Sequence, residues 1–274
     1  MRLSKKIMAL MFFTTALLPS LVFAQDHVVK ITALTNITAT YPDFSINSTL
    51  TKSQQAIIDH FLAAPSAIPS GQGNFTQIST AAFDGRITPS TDFAFYGSGA
   101  KGQYGLYLNL QNKLTPILNQ NSNLPEGAGF FIKLYSLSFD AAHQQLAFIG
   151  DGILGQTGIF LYDHATLSKI LNQQSTIPNQ ADLFEKFLQL SLQNKSILFT
   201  AVGRSTPLAL YYYSQHANLY KIFSVGDQVN GKTIQDIQIN KDSLQANDTM
   251  QFALTFTDNS HGIFKAVFEP LLDA

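Results

Sequence analysis

The stretch 130–178, FFIKLYSLSFDAAHQQLAFIGDGILGQTGIFLYDHATLSKILNQQSTIP, divides into four apolar segments separated by polar or glycine-rich breaks. The segments are residues 132–139, 145–149, 158–162 and 167–171, each rich in aliphatic and aromatic side chains and bounded by turn formers such as Asp140, Gly150, Gly152 and Asp163. Short runs of this composition between turn residues read as β-strands. Four strands in about fifty residues is the size of a propeller blade.

The same order recurs along the chain. The preceding stretch supplies strands over 75–83, 92–96, 105–108 and 114–118, and the following one over 184–192, 197–201, 208–213 and 219–225. Punctuation recurs with them, as Ile68-Pro69-Ser-Gly, Leu124-Pro125-Glu-Gly and Ile177-Pro178-Asn-Gln, with Asn230-Gly231 in the same slot of a fourth unit. That fourth unit offers strands over 234–244, 250–256 and 262–267 and lacks a last one. The missing strand reads Leu167-Ser-Lys-Ile170 and Leu219-Tyr-Lys-Ile222 in its best copies, and Val28-Val-Lys-Ile31 near the N-terminus has a similar pattern. The sequence therefore predicts an all-β, propeller-like array of four-stranded units, about four to five blades, with its ring closed by pairing of the N- and C-terminal strands. A β-sandwich or an open stack of sheets is the alternative. Residues 40–68 read as a degenerate unit: 44–51 suits a strand, whereas 53–62 places Ile57, Ile58, Phe61 and Leu62 at helical spacing behind a Ser53 cap, so helix and second strand compete there.

The first 24 residues read as a secretory leader. Arg2, Lys5 and Lys6 precede the apolar run 7–18, Pro19-Ser20 breaks it, and Val22-Phe-Ala24 forms a small-x-small exit. A run of about 12 apolar residues is too short for a good membrane span. Residues 25–274 then form a single repeat domain, periplasmic or secreted. Loss of Arg2, Lys5 and Lys6 from 17 basic residues leaves 14 against 18 acidic ones, a formal charge of −4. Such a balance disfavours nucleic acid, whose phosphates need a clustered basic face. The chain has no cysteine, so neither a lipid anchor on a leading Cys nor a disulfide framework is available.

Chemistry-bearing residues are scattered. His164 and His216 both precede Ala-x-Leu-x-Lys-Ile and are expected in equivalent hairpin turns of neighbouring blades, where they read as two metal-binding imidazoles or, preferably, as duplicated polar turn residues, since metal sites need three or four converging ligands. Asp84, Asp140, Asp151 and Asp163 stand beside expected turns, where a short carboxylate bonds the backbone, and none belongs to a calcium loop. Gly97-Ser-Gly-Ala-Lys-Gly102 lacks the order of a phosphate loop and reads as a hairpin loop; Ser98 is not the centre of a nucleophile elbow, and no His-Glu-x-x-His occurs. Tyr211-Tyr-Tyr213 alternates across a strand, as a binding face or, preferably, as inter-blade packing in a chain with 22 Phe. The absence of Trp lowers the case for sugar stacking. Asn36, Asn47, Asn74, Asn194 and Asn247 begin Asn-x-Ser/Thr triplets of the kind that arises by chance in so Asn- and Ser/Thr-rich a chain. No catalytic, cofactor-binding or metal residue is nominated.

From Val225-Gly-Asp-Gln-Val-Asn-Gly-Lys-Thr-Ile234 through Gln251-Phe-Ala-Leu to His261-Gly-Ile-Phe264-Lys-Ala, the chain resembles a group of uncharacterised exported bacterial repeat proteins. In that group a Gly-Asp-x-hydrophobic-x-Gly element, a Phe-Ala strand and a Gly-Ile-Phe strand recur. The last element returns here as Gly158-Ile-Phe160 and, loosely, Gly105-Leu-Tyr107, while the third unit departs with Leu208-Ala-Leu-Tyr. The resemblance brings no activity or catalytic residue. The expectation is an exported, non-enzymatic binding or scaffolding module for a protein or glycan; the alternative is an extracytoplasmic hydrolase or lyase with its site in the central channel.

Overall fold

The computed structural model describes residues 20–24, 27–33, 50–84 and 91–270. Leader residues 1–19, residues 44–49 of the strand expected over 44–51, Asn36 and Asn47 lie outside them, and the described Leu50 and Thr51 are not in a strand. Strands β1 (Ser20–Ala24) and β2 (His27–Ala33) precede helix α1 (Lys52–Ala63). Unit 1 comprises β3 (Phe75–Phe83), β4 (Phe93–Gly99), β5 (Tyr104–Leu110) and β6 (Lys113–Asn119). Unit 2 comprises β7 (Phe131–Asp140), β8 (Gln145–Gly152), β9 (Thr157–Asp163) and β10 (Thr166–Asn172). Unit 3 comprises β11 (Phe184–Gln193), β12 (Ser196–Gly203), β13 (Ala209–Tyr213) and β14 (Leu219–Ser224). The last sheet holds β15 (Gln228–Val229), β16 (Lys232–Gln238), β17 (Leu244–Gln245), β18 (Thr249–Phe256) and β19 (His261–Pro270).

Units 1 to 3 are antiparallel four-stranded sheets with their strands in sequence order. In the fourth sheet β16, β18 and β19 are followed by β2, so the terminal strands pair as expected, and β1 lies outside β2 at the sheet edge. The fold is thus a propeller-like array of four units. Register is the finer point: Lys169 and Lys221 stand opposite the aromatics Phe160 and Tyr211, whereas Lys30 stands opposite Val267 and it is Ala33 that meets Phe264. A four-residue likeness identified the strand and misplaced it by three residues.

Each unit is built on the same trio of rings. Phe95 stacks on Tyr107 at 5.5 Å, Phe148 on Phe160 at 5.5 Å, Phe199 on Tyr211 at 5.2 Å and Phe252 on Phe264 at 6.0 Å. A third ring meets the second edge-on: Phe75, Phe131, Phe184 and Phe256. The Gly-Ile-Phe element therefore recurs because it carries the middle ring of this trio, and unit 3 keeps the ring as Tyr211 with Ala209 in the glycine's place. Aromatic pairs in such geometries add about 0.5–1.5 kcal/mol each beyond the area they bury. Apolar clusters fill the gaps between units 1 and 2, 2 and 3, and 3 and 4.

A fourth cluster sits on the outer face of unit 1, where α1 covers Phe75, Phe93 and Phe95 with Ile58 and Phe61. Residues 53–62 are helix, not strand, so among the described residues the array has four blades. The cap is Thr51 and not Ser53: the Gln54 amide donates to Thr51 Oγ1 at 3.2 Å and the Thr51 amide to Gln54 Oε1 at 3.0 Å, a reciprocal capping box. Pro65 ends the helix at Ala64.

The span 234–244 is not one strand. Asn240 interrupts it with a tight turn in which the Asp242 amide donates to Asn240 Oδ1, the Asn240 amide to Ser243 Oγ, and the Ser243 amide to the Asn240 carbonyl. The same Asn-x-x-Ser turn closes β6 at Asn119–Ser122 and β10 at Asn172–Ser175. Between β16 and β17 it presents Lys241 to all the other units. The Lys241 carbonyl accepts from Ser138 Oγ at 2.7 Å in unit 2 and from Ser191 Oγ at 2.9 Å in unit 3, while its ammonium donates to the Phe83 carbonyl at 2.7 Å in unit 1.

Candidate docking surface on the second unit

The Pro-marked repeats are loops that enter each unit. Ile68, Leu124 and Ile177 are buried anchors, and the proline after each opens a turn closed by the Gly71, Gly127 and Gln180 amides donating back to the anchors' carbonyls. Ser70, Glu126 and Asn179 take positive φ after the proline, the geometry of a type II turn. One side chain then ties each entry loop to the hairpin loop between the second and third strands. Gln103 Nε2 donates to the Gln72 carbonyl at 2.8 Å and Gln156 Nε2 to the Ala128 carbonyl at 2.9 Å; in unit 3 Asp182 accepts from the Ser205 and Thr206 amides.

On this shared frame the units display different side chains. At the hairpin tips, Ala100-Lys101 of unit 1 and Arg204-Ser205 of unit 3 correspond to Ile153-Leu154 of unit 2. At the second residue of the inner strand, where all three strands bulge, Thr76 and Glu185 correspond to Ile132. Asn74 and Leu183 correspond to Phe130. Among the described residues the large exposed apolar side chains are Phe130, Ile132, Ile153 and Leu154, and Leu154 is 69% exposed. They gather at one junction, since the Ile153 amide donates to the Phe130 carbonyl at 3.1 Å. Gly129 sits beside them at φ +83°, and a side chain there would meet Ile153 Cγ2 at 2.6 Å. Contiguous exposed apolar patches are a common mark of interaction sites.

The residues singled out from sequence do not converge. His164 is the first residue of a two-residue hairpin turn at φ +46°, with Nδ1 2.6 Å from Asp163 Oδ1. His216 lies in the corresponding hairpin of unit 3, but in a longer turn closed by the Ser214 amide on the Asn218 carbonyl. No group of three His, Cys, Asp or Glu suited to a metal occurs among the described residues. Asp140 accepts the His143 amide of its own turn at 3.2 Å, and Asp84 and Asp140 each accept a backbone amide from the next unit as well: Ala141 N to Asp84 at 2.9 Å and Asn194 N to Asp140 at 2.7 Å. Asp140 also holds His143 Nδ1 at 2.8 Å. Asp151 and Asp163 bond side chains, Asp151 accepting from Tyr135 Oη at 3.1 Å. Gly97–Gly99 end β4 and the following residues turn into β5. Asn74, Asn194 and Asn247 are exposed turn or loop positions.

Asp163 links two units. It accepts from Gln145 Nε2 at 2.9 Å and from His164, and pairs with Lys195 of unit 3 at 2.9 Å. Burial, the largest single influence on it, favours the neutral acid, but the bonds from Lys195, Gln145 and His164 and the Lys195 charge outweigh it and hold the carboxyl at about 2. Tyr211 and Tyr212 are both buried, on opposite faces of β13, in the cores toward units 2 and 4. The tyrosine run is therefore packing, with Tyr213 alone reaching a groove between units 2 and 3 of about 430 Å³. What the sequence reading missed is the patch: Phe130 and Ile132 look like strand core until the repeat is aligned with exposure.

No protein-family model matches the chain, and no curated protein does. Among solved structures it is similar to the crystal structure of TolB from Acinetobacter baumannii, at 12% identity and a TM-score of 0.35, over 69% of this chain and 54% of that one. The chain thus spans about half the length of that protein.

Proposed function

We propose that this chain is an exported, non-enzymatic binding module that docks a protein partner on unit 2. The observation that carries the reading is the break in the repeat at Ile132, Ile153 and Leu154: frame and loop ties are kept, and only the displayed side chains turn apolar. An apolar surface without hydrogen-bonding side chains matches an apolar protein surface and not the hydroxyls of a glycan. Export rests on the leader pattern of residues 1–24. The alternative of a hydrolase or lyase acting in a central channel finds less support, because Lys241 stands where the units meet and its carbonyl and ammonium are committed to joining them.

The test is a photo-crosslinking amino acid at position 154, and separately at the matching position 101, in cells that express the full chain. The expectation is one adduct of defined mass from position 154 and none from position 101. Adding Ile132→Thr and Ile153→Ala, the residues of unit 1, removes that adduct while leaving the unfolding midpoint in place. Equal adducts from both positions, or an adduct that survives the two substitutions, would overturn the reading.

A further inference from the structure

The cleft between α1 and unit 1 holds a position of β5 at which unit 1 carries a smaller side chain than its siblings. The residue two after the stacked ring is Tyr162 in unit 2 and Tyr213 in unit 3, and both rings stand in the grooves at their units' edges. In unit 1 it is Asn109. Beside it lies a cavity of about 630 Å³, walled by Ala56, Ile57, Phe61, Phe93 and Leu114. Asn109 lies directly opposite Phe93 on β4 and Leu114 on β6, at the middle of this apolar wall.

Asn109 is only 6% exposed as a residue and lines the cleft, and its carboxamide is not one of the fully buried polar groups left without a partner. Here the amide borders a cavity of ligand size whose lining is mostly apolar with few polar groups, the usual make-up of a small-molecule site. His60 and Asn112, at the exposed margin, add polar side chains there.

We propose that this cleft binds an uncharged, mainly apolar small molecule whose head group is an amide or lactam. A carboxamide offers an acceptor and donors side by side, so its complement is a group with donor and acceptor equally adjacent. The edge-on rings of Phe61 and Phe93, 5.6 Å apart, suit a flat aromatic body. The site lies on a different unit from the apolar patch and stands independently of it.

The test uses the full mature chain with 2-naphthamide and 2-methylnaphthalene, a pair that differs in the head group alone, titrated while the methyl resonances of Ile57 and Leu114 are followed. The amide is expected to shift these methyls and to bind about tenfold tighter than the hydrocarbon, the worth of one good hydrogen bond. Asn109→Leu removes that preference and keeps hydrocarbon binding, and Asn109→Tyr, the residue of units 2 and 3, abolishes both. Thermal unfolding of each variant confirms that it folds. Failure of the amide to shift these methyls, or a tenfold preference that persists in Asn109→Leu, would overturn the proposal.

Discussion

Tyr211 and Tyr212 are adjacent, equally buried and opposite in their hydroxyls. Tyr212 Oη donates to Asp248 Oδ1 and bonds Ser196 Oγ at 3.1 Å, whereas Tyr211 Oη is buried with no hydrogen-bond partner in the structure. Burial, followed by the Asp182 charge, pushes the Tyr211 phenol far above its ordinary range, so the group stays neutral and simply wastes a donor. Units 2 and 4 place Phe160 and Phe264 at the same point of the ring trio. Tyr211→Phe is therefore expected to leave the urea unfolding free energy unchanged or raise it by about 1 kcal/mol, and Tyr212→Phe to lower it by about 1–2 kcal/mol. Equal destabilisation by both would mean that the Tyr211 hydroxyl has a partner. Which of two neighbouring tyrosines would be satisfied was not legible in the sequence. Alternation puts them on opposite faces, but each face packs on another unit, and the bonding of a hydroxyl there depends on Asp248 and Ser196, brought close only by the fold.

Hairpins and turns carry several of the polar ties between units, and they separate what the sequence displays from what it conceals. Strands were legible because their apolar runs end in turn residues and the pattern repeats; α1 was legible as a competitor because Ile57, Ile58, Phe61 and Leu62 keep helical spacing. The break at Asn240 was concealed, because Asn-x-x-Ser marks a turn at Asn119 and Asn172 only in the company of a nearby proline, and Pro is absent here. The patch was concealed for a related reason: apolar side chains on a strand read as core whichever way they face. Between the β9–β10 and β11–β12 turns the tie is Asp163 to Lys195. A carboxyl held at about 2 contributes stability that is fully present above its unfolded value, near 4, and is lost as the pH falls from there through about 2. Asp163→Asn should therefore flatten the fall in the unfolding midpoint between pH 4 and pH 2 while leaving the dependence above pH 5 as it was. A variant that fell as steeply as the parent in that window would show that the tie contributes nothing to folding.

At the scale of the molecule, the four sheets share the apolar clusters that fill the gaps between units, and polar contacts near the junction of their inner strands add specific ties between them. Asp84 clamps unit 1 to unit 2 and Asp140 clamps unit 2 to unit 3, through the same bond to the next unit's backbone. Lys241 then joins unit 4 to the other three, through a carbonyl that takes Ser138 and Ser191 and an ammonium that takes the Phe83 carbonyl and Asp242. The two halves of this residue make separable predictions. Lys241→Met keeps the carbonyl and loses the ammonium, so it should cost about 1.5–3 kcal/mol, as hydrogen bonds to charged groups do, and should loosen unit 1 against unit 4 in particular. Ser138→Ala and Ser191→Ala each leave the carbonyl one bond but also remove an acceptor of the Leu192 and Leu244 amides respectively, so each should cost about 1–3 kcal/mol, and together they strand a buried carbonyl, so the double variant should lose more than the two single losses added. Amide exchange reads the difference by location: Lys241→Met speeds exchange at the end of β3 next to Phe83 while the inner strands of units 2 and 3 stay protected, and the serine pair speeds exchange in β7 and β11. Uniform loosening in both cases would mean that the array unfolds as one body and that Lys241 does not divide its work between the units.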